Sequence, residues 1–167
     1  ADIRATAPQR WNSWKNALLN QLYRSTMTAL ERGLDNPQAQ DELIQRRRTE
    51  ALRLLTERGF EEQQVMDLWL HLDVDYFMHS TPDEIAWQSN HALKQPWPEK
   101  PIVKIWADSH RGCTEIFVYS LDRRYLFAHT TVLLDKLGLN IQGARIQTLS
   151  DGRTMNSYFV LAHDNST

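Results

Sequence analysis

Asp73-Val74-Asp75 sets two carboxylates one residue apart, the kind of pair that can contact a divalent cation. Two carboxylates alone make a poor site, because magnesium and calcium take six or more oxygen ligands and nucleotidyl transfer also needs a phosphate-binding loop. The surrounding Leu72-Asp73-Val74-Asp75-Tyr76-Phe77 reads better as a helix start, where acids favour the positive end of the dipole. His163-Asp164 is the only His-Asp dipeptide and suggests a metallo-phosphohydrolase. Such a centre needs several more histidines and aspartates converging in space. This pair leads into Asp164-Asn165-Ser166-Thr167 and is read as a polar tail. Cys113 has only His110 nearby, so it is read as a small residue opening a strand rather than part of a triad. His71, His79, His91 and His129 show no ligand spacing, and no Gly-rich phosphate loop is present. The catalytic reading of this sequence is poor, and no metal or cofactor is expected on it.

A different chemistry is available at Asp122-Arg123-Arg124-Tyr125-Leu126. This segment lies between a predicted strand and a predicted helix, and a helix N-terminus offers unpaired N–H groups and positive potential to a carboxylate. The dipole contributes only about 0.3–1 kcal/mol at an exposed terminus. Holding a metabolite at ~1 mM takes about 4 kcal/mol. An amino-acid site here therefore needs further contacts, for which Arg123 and the strand start Asn140-Ile141 are the candidates. The plainer alternative is that Asp122 simply caps its helix.

The elements that must position these groups fall into two halves. Trp11, Trp14, Leu18, Leu22 and Ala29 recur at three- and four-residue steps on one helical face, and Gly33 stops that helix. Asn36-Pro37 restarts the chain with a cap residue and a first-turn proline. Leu43, Ile44, Arg47, Ala51, Leu54 and Leu55 continue helically to Gly59. A third helix is predicted from Glu61 to Leu70, burying Val65, Leu68 and Trp69. Thr81-Pro82-Asp83-Glu84 has the capping-box form and opens a helix carrying Ile85, Ala92 and Leu93. Pro96, Pro98 and Pro101 then close the helical half, since each removes a backbone donor and fixes φ.

Beyond the prolines the period shortens to two. Strands are predicted at Ile102–Trp106, Thr114–Tyr119, Ile141–Thr148 and Thr154–Leu161, with a loop from Asp108 to Gly112. A helix carrying Leu126, Thr130, Leu133 and Leu137 lies between the second and third strands and ends at Gly138. Asp151-Gly152 marks a hairpin between the last two. Strand, strand, helix, strand, strand makes an α+β unit with its helix on one face of an antiparallel sheet. The domains are therefore 1–95, a helical connector; 96–112, a Pro-rich linker with an extra edge strand at 102–106; and 113–167, the sheet unit.

Composition adds boundaries. The 167 residues are 41% hydrophobic and 24% charged, with a formal net charge of −2. That balance gives no electrostatic case for nucleic acid or an anionic membrane surface. No apolar run approaches the ~20 residues of a membrane span. Arg46-Arg47-Arg48 is the only basic run and is read as a solvated helix face. The single cysteine excludes an intrachain disulfide and fits the cytosol. The opening Ala1-Asp2-Ile3, without an initiator methionine or secretory pattern, suggests a segment of a longer chain.

The order of motifs resembles one family. Ala1-Asp2-Ile3-Arg4-Ala5-Thr6 with Trp11-Asn12-Ser13-Trp14-Lys15 resembles the stretch that follows the HD domain of bacterial bifunctional P-II uridylyltransferase/uridylyl-removing enzymes. Asp75-Tyr76-Phe77 and Ser80-Thr81-Pro82-Asp83-Glu84-Ile85-Ala86-Trp87 resemble its connector. Gly112 to Tyr119, Leu139-Asn140-Ile141, Ala144-Arg145-Ile146, Asp151-Gly152 and Val160-Leu161 resemble its first ACT domain, a ferredoxin-like unit here C-terminally truncated, without its second helix. The resemblance implies a cytoplasmic, Mg²⁺-dependent parent. That parent uridylylates the signalling protein P-II when glutamine is scarce and removes the group when glutamine is plentiful. The present segment holds neither catalytic motif, so the resemblance implies a regulatory part, with glutamine as possible effector at Asp122–Leu126 and Asn140-Ile141. The alternative is an ACT-type docking or self-association module. Tyr125 favours the latter, since it stands where amino-acid-binding ACT domains place glycine and its side chain obstructs backbone approach. In a left-handed loop it would also cost roughly 1–2 kcal/mol.

Overall fold

The computed structural model describes residues 13–32, 37–107 and 112–162. Trp11, Gly33, Asn36, His110, the His163-Asp164 pair and the opening motif fall outside that range. So does the segment 108–111 of the expected loop.

Helix α1 spans Ser13–Arg32 and α2 spans Pro37–Thr56. Gly59, at φ 88°, closes the turn after α2, and α3 follows at Glu62–Trp69 with Val65, Leu68 and Trp69 buried as the 3.6-residue period requires. Asp73 starts the short α4 (Val74–His79), its side chain accepting from the Tyr76 N–H at 2.9 Å. The carboxylate pair is thus a helix start, with Asp73 as cap. Helix α5 (Pro82–Lys94) opens on the expected capping box: Thr81 Oγ1 accepts from Glu84 N, and Glu84 Oε2 accepts from Thr81 N at 3.0 Å.

The sheet has four strands, β1 (Ile102–Trp106), β2 (Thr114–Leu121), β3 (Leu139–Thr148) and β4 (Arg153–Ala162), with helix α6 (Leu126–Lys136) between β2 and β3. Its order is β1-β2-β4-β3, every neighbour antiparallel. The extra strand pairs along the outer side of β2, Ile102 opposite Tyr119 and Trp106 opposite Glu115. It thereby covers the β2 edge with backbone hydrogen bonds. The β3–β4 connection turns on Ser150, Asp151 and Gly152, with Leu149 N bonded to Arg153 O at 2.8 Å. Gly152 takes φ 86°, a conformation open to glycine without strain, so Asp-Gly here ends a three-residue loop.

Alternation along β2 and β4 gives the sheet two apolar faces. Ile116, Val118, Tyr158 and Val160 pack with Leu134 of α6. Phe117, Tyr119 and Met155 join a single core with Ala51, Leu55, Trp69, Phe77, Ile85 and Ala92 of the helices. The sheet is therefore covered on both sides, by α6 on one and by α2–α5 on the other. The core passes straight across the proline-rich stretch. Arg46-Arg47-Arg48 departs from the solvated reading for the same reason. Arg47 donates to the carbonyls of Phe77 and Met78, and the Arg48 guanidinium lies 4.5 Å over the Phe77 ring. Only Arg46 of the three is exposed. Two charges on α2 grip the end of α4 while their stems lie against apolar surface.

Because Phe117 is fully buried in the shared core, Phe117→Ala should cost about 3–5 kcal/mol. Hydrogen exchange would locate the loss. Protection of α5 amides should fall together with that of β2 and β4, and helices that stayed protected while the sheet opened would show two separate cores.

Candidate functional site

The loop singled out by sequence is a tight turn. Arg123 O accepts from Leu126 N at 3.0 Å, with Arg124 and Tyr125 between them. Tyr125 has φ 63° and ψ 14°, the only non-glycine residue with positive φ among those described. It occupies the turn position that a type II turn ordinarily gives to glycine. A left-handed tyrosine at this point carries a cost that glycine would not. Its ring is exposed, with the Arg124 guanidinium 5.1 Å above it. The cap reading of Asp122 fails. Helix α6 begins at Leu126, its N-cap residue is Tyr125, and no side chain caps it. The left-handed residue moves the N-cap position three residues past the aspartate. Asp122 instead ties the loop to the hairpin through its backbone, N to Gly152 O at 2.8 Å. Arg123 reaches the Glu99 carbonyl in the proline-rich stretch.

The remaining candidates lie elsewhere. Leu121 pairs with Arg153, whereas Asn140 pairs with Leu161. Eight residues of β4 separate them, roughly 26 Å at about 3.3 Å per residue. The structure brings Asp122 to Leu126 together and leaves Asn140 and Ile141 at the opposite end of the sheet.

The densest polar arrangement is at the joint between helices and sheet. Glu115 on β2 is fully buried, and its Oε1 accepts from Gln88 Nε2 and from Ser157 Oγ, each at 2.7 Å. Gln88 Nε2 also reaches Ser157 Oγ at 3.0 Å, and Gln88 Oε1 accepts from Tyr76 OH at 2.9 Å. Burial, then the nearby Glu115 carboxyl, pushes the Tyr76 phenol far above its ordinary value, so it stays a donor. Beside this chain Arg145 of β3 donates to Ser80 Oγ at 2.8 Å and to the His79 carbonyl at 2.6 Å. It also faces the buried Glu84 carboxylate at 3.8 Å. The cation thus closes the C-terminus of α4 and meets the capping residue of α5.

A second contact clamps the β3–β4 hairpin. Ser150 N donates to His71 O at 3.1 Å, and His71 Nδ1 lies 2.8 Å from Ser150 Oγ. Arg153 holds Asp151 through Nε at 2.8 Å and reaches Pro96 O at 3.1 Å and Tyr119 OH at 2.8 Å. Its guanidinium sits 4.9 Å over Trp97. Burial alone would raise the Asp151 carboxyl, but the Arg153 hydrogen bonds and charge together hold it below its ordinary value. The β2–α6 loop, the hairpin and the helices are therefore joined in sequence by Asp122–Gly152 and Ser150–His71.

Sequence reasoning passed over Glu115, Gln88, Arg145 and Arg153. One signal was present: on β2 the two-residue period puts Glu115 on the same face as Phe117 and Tyr119, so a carboxyl had to be buried with them. Cys113 stands immediately before β2 and is buried. Among the described residues no group of three or more His, Cys, Asp or Glu could hold a metal ion.

Residues 39–91, running from α2 through most of α5, match the family model described as "Uridylyltransferase GlnD fifth domain". The chain is 44% identical over 167 residues to a bifunctional uridylyltransferase/uridylyl-removing enzyme of Pseudomonas syringae pv. syringae (strain B728a), an alignment covering 98% of this chain and 19% of that enzyme. It is 42% identical over 161 residues to the enzyme of the same description from Vibrio parahaemolyticus serotype O3:K6 (strain RIMD 2210633), covering 96% and 18%. The chain spans about a fifth of the length of the curated relatives it matches. No solved structure matches.

Two outcomes follow from the site. Tyr125→Gly should remove the left-handed cost of about 1–2 kcal/mol and lose about 0.4–1 kcal/mol to a looser unfolded chain. A net gain of up to about 1.6 kcal/mol should appear as a higher urea midpoint. A lower midpoint would mean that the ring contacts outweigh the strain. For Asp151, a lowered native pKa stabilises above the ordinary carboxylate value of 3.8 and ceases to do so as pH falls through the native value. The stability gap between wild type and Asp151→Asn should hold steady near neutrality and shrink below about pH 4.

Proposed function

We propose, on the premise that this chain is a segment of the bifunctional uridylyltransferase/uridylyl-removing family, that it is a regulatory part of such an enzyme. In this reading it contributes to glutamine sensing and passes the ligand's state to catalytic domains elsewhere in the parent. The parent would modify and demodify P-II in the cytoplasm, with Mg²⁺ belonging to its catalytic centre rather than to any residue here. The observation that carries the reading is the joint itself. Helices and sheet share one core and a buried hydrogen-bonded chain from Tyr76 through Gln88 to Glu115 and Ser157. A shift of the sheet relative to α4 and α5 would break those bonds together, and packed joints of this kind have discrete alternatives rather than a continuum. A sensor needs such a joint, because a ligand acts only through states it binds differently.

A second reading is favoured by one observation. Asp122–Leu126 and Asn140-Ile141 stand at opposite ends of the sheet, so one copy does not assemble them into a site. The β3 strand is an edge of the sheet among the described strands. A docking module, closing on another domain or a second copy along that edge, uses this arrangement without a ligand of its own.

Calorimetric titration with L-glutamine, and with L-glutamate and L-asparagine as controls, separates the two. The regulatory reading expects saturable heat selective for glutamine, accompanied by changed exchange at α4 and α5 amides. Absence of heat up to about 10 mM would remove sensing from this chain. Concentration-dependent dimerisation would then support the docking module.

A further inference from the structure

The helix-covered face of the sheet is closed unevenly. Over β2 it is sealed by α5, but toward β3 the helices α1 and α4 stand apart and leave a solvent-open cavity of about 630 Å³. That volume falls within the usual range for small-molecule sites, about 300–1,000 Å³. The cavity borders the buried Gln88 chain at Tyr76 and is separate from the β2–α6 loop.

Its floor is aromatic. Trp14 of α1 stacks on Phe159 of β4, ring centroids 5.8 Å apart and planes 28° from parallel. Gly143 lies beneath them, where even a Cβ would come within 3.7 Å of the indole. Leu18 continues the apolar lining and is more than 40% exposed. The walls are charged, and with both signs. Asp75 and His79 stand one turn apart on the same side of α4, Asp73 adds a second carboxylate, and Arg145 projects from β3. Asp75 makes no hydrogen bond or ion pair among the described residues, while the Arg145 guanidinium is fixed by its bonds to Ser80 and His79, has Glu84 behind it at 3.8 Å, and lies 6.0 Å from the Phe159 ring.

These walls select a class of ligand. A simple anion would meet two carboxylates, a simple cation would meet Arg145, and an apolar molecule would strip water from both without replacing it. A zwitterion meets each charge with its opposite. We propose that this cleft binds a small zwitterion of the α-amino-acid class, its ammonium toward Asp75 and Asp73, its carboxylate toward Arg145, and its side chain over Trp14 and Phe159. The site goes beyond the sensing reading and does not rest on it, because the recognised group is the head shared by all α-amino acids.

The test uses a matched set on the whole chain: L-glutamine, L-leucine, isoamylamine (leucine without its carboxylate) and 4-methylpentanoate (leucine without its ammonium). Calorimetry should show millimolar or tighter binding of at least one amino acid, and a loss of about tenfold or more for each analogue lacking a charge. Asp75→Asn and Trp14→Ala should each weaken binding about tenfold, while Asp122→Ala leaves it unchanged. Asp75 is exposed, so its variant keeps the fold, and matching thermal transitions would verify that. Absence of saturable binding by either amino acid would overturn the proposal. So would isoamylamine binding as tightly as leucine, or an affinity indifferent to both Asp75→Asn and Trp14→Ala. Leucine binding without glutamine selectivity would support the cleft and count against sensing. Glutamine binding lost in Asp122→Ala but not in Asp75→Asn would do the reverse.

Discussion

A carboxyl group without access to water sits where the helices meet the sheet. Burying Glu115 costs several kcal/mol unless its oxygens find donors. The donors to its Oε1 come from two structural layers: Gln88 from α5 and Ser157 from β4. The helices cannot be lifted from the sheet without stranding that group, so a polar contact fixes the register of an otherwise greasy interface. Apolar packing among Ile85, Phe117 and Met155 supplies area but tolerates sliding. Hydrogen bonds with directional partners do not. The same logic repeats at Arg145, whose partners belong to α4 and α5, and at Arg153, whose partners include a carbonyl in the proline-rich stretch.

Strand β1 completes this arrangement from the other side. By pairing with β2 it moves the sheet's open edge outward by one strand and lets Trp106 reach Trp87, ring centroids 5.1 Å apart. A segment that begins as the exit from three prolines becomes part of the helix–sheet contact. Val103 and Ile105, its alternate residues, point to the α6 side and stay exposed.

Periodicity and punctuation made most elements legible. The capping box at Thr81, the helix start at Asp73, the strands and the Asp-Gly turn all rest on local rules that tertiary structure had no reason to overturn. The misses share a cause. Asp122 looks like a cap only if the chain turns into helix at once, and the left-handed Tyr125 postpones that turn. Arg47 and Arg48 look solvated because a helix face has no mark of what lies against it until α4 is in place. Asn140 and Ile141 group with Asp122 in the sequence because the two segments flank the same helix. A helix that returns the chain along the sheet carries its two ends apart.

The core that crosses the three prolines also bears on modularity. Recombination tends to cut where few contacts are severed, and a proline-rich stretch between helices and strands invites such a cut. Here a unit moved at that point would arrive with Phe117, Tyr119 and Met155 facing water, and the helices left behind would expose Ala51, Leu55 and Ile85. The heritable block is therefore larger than the sheet, and a graft that is to stay soluble must take both sides of the prolines.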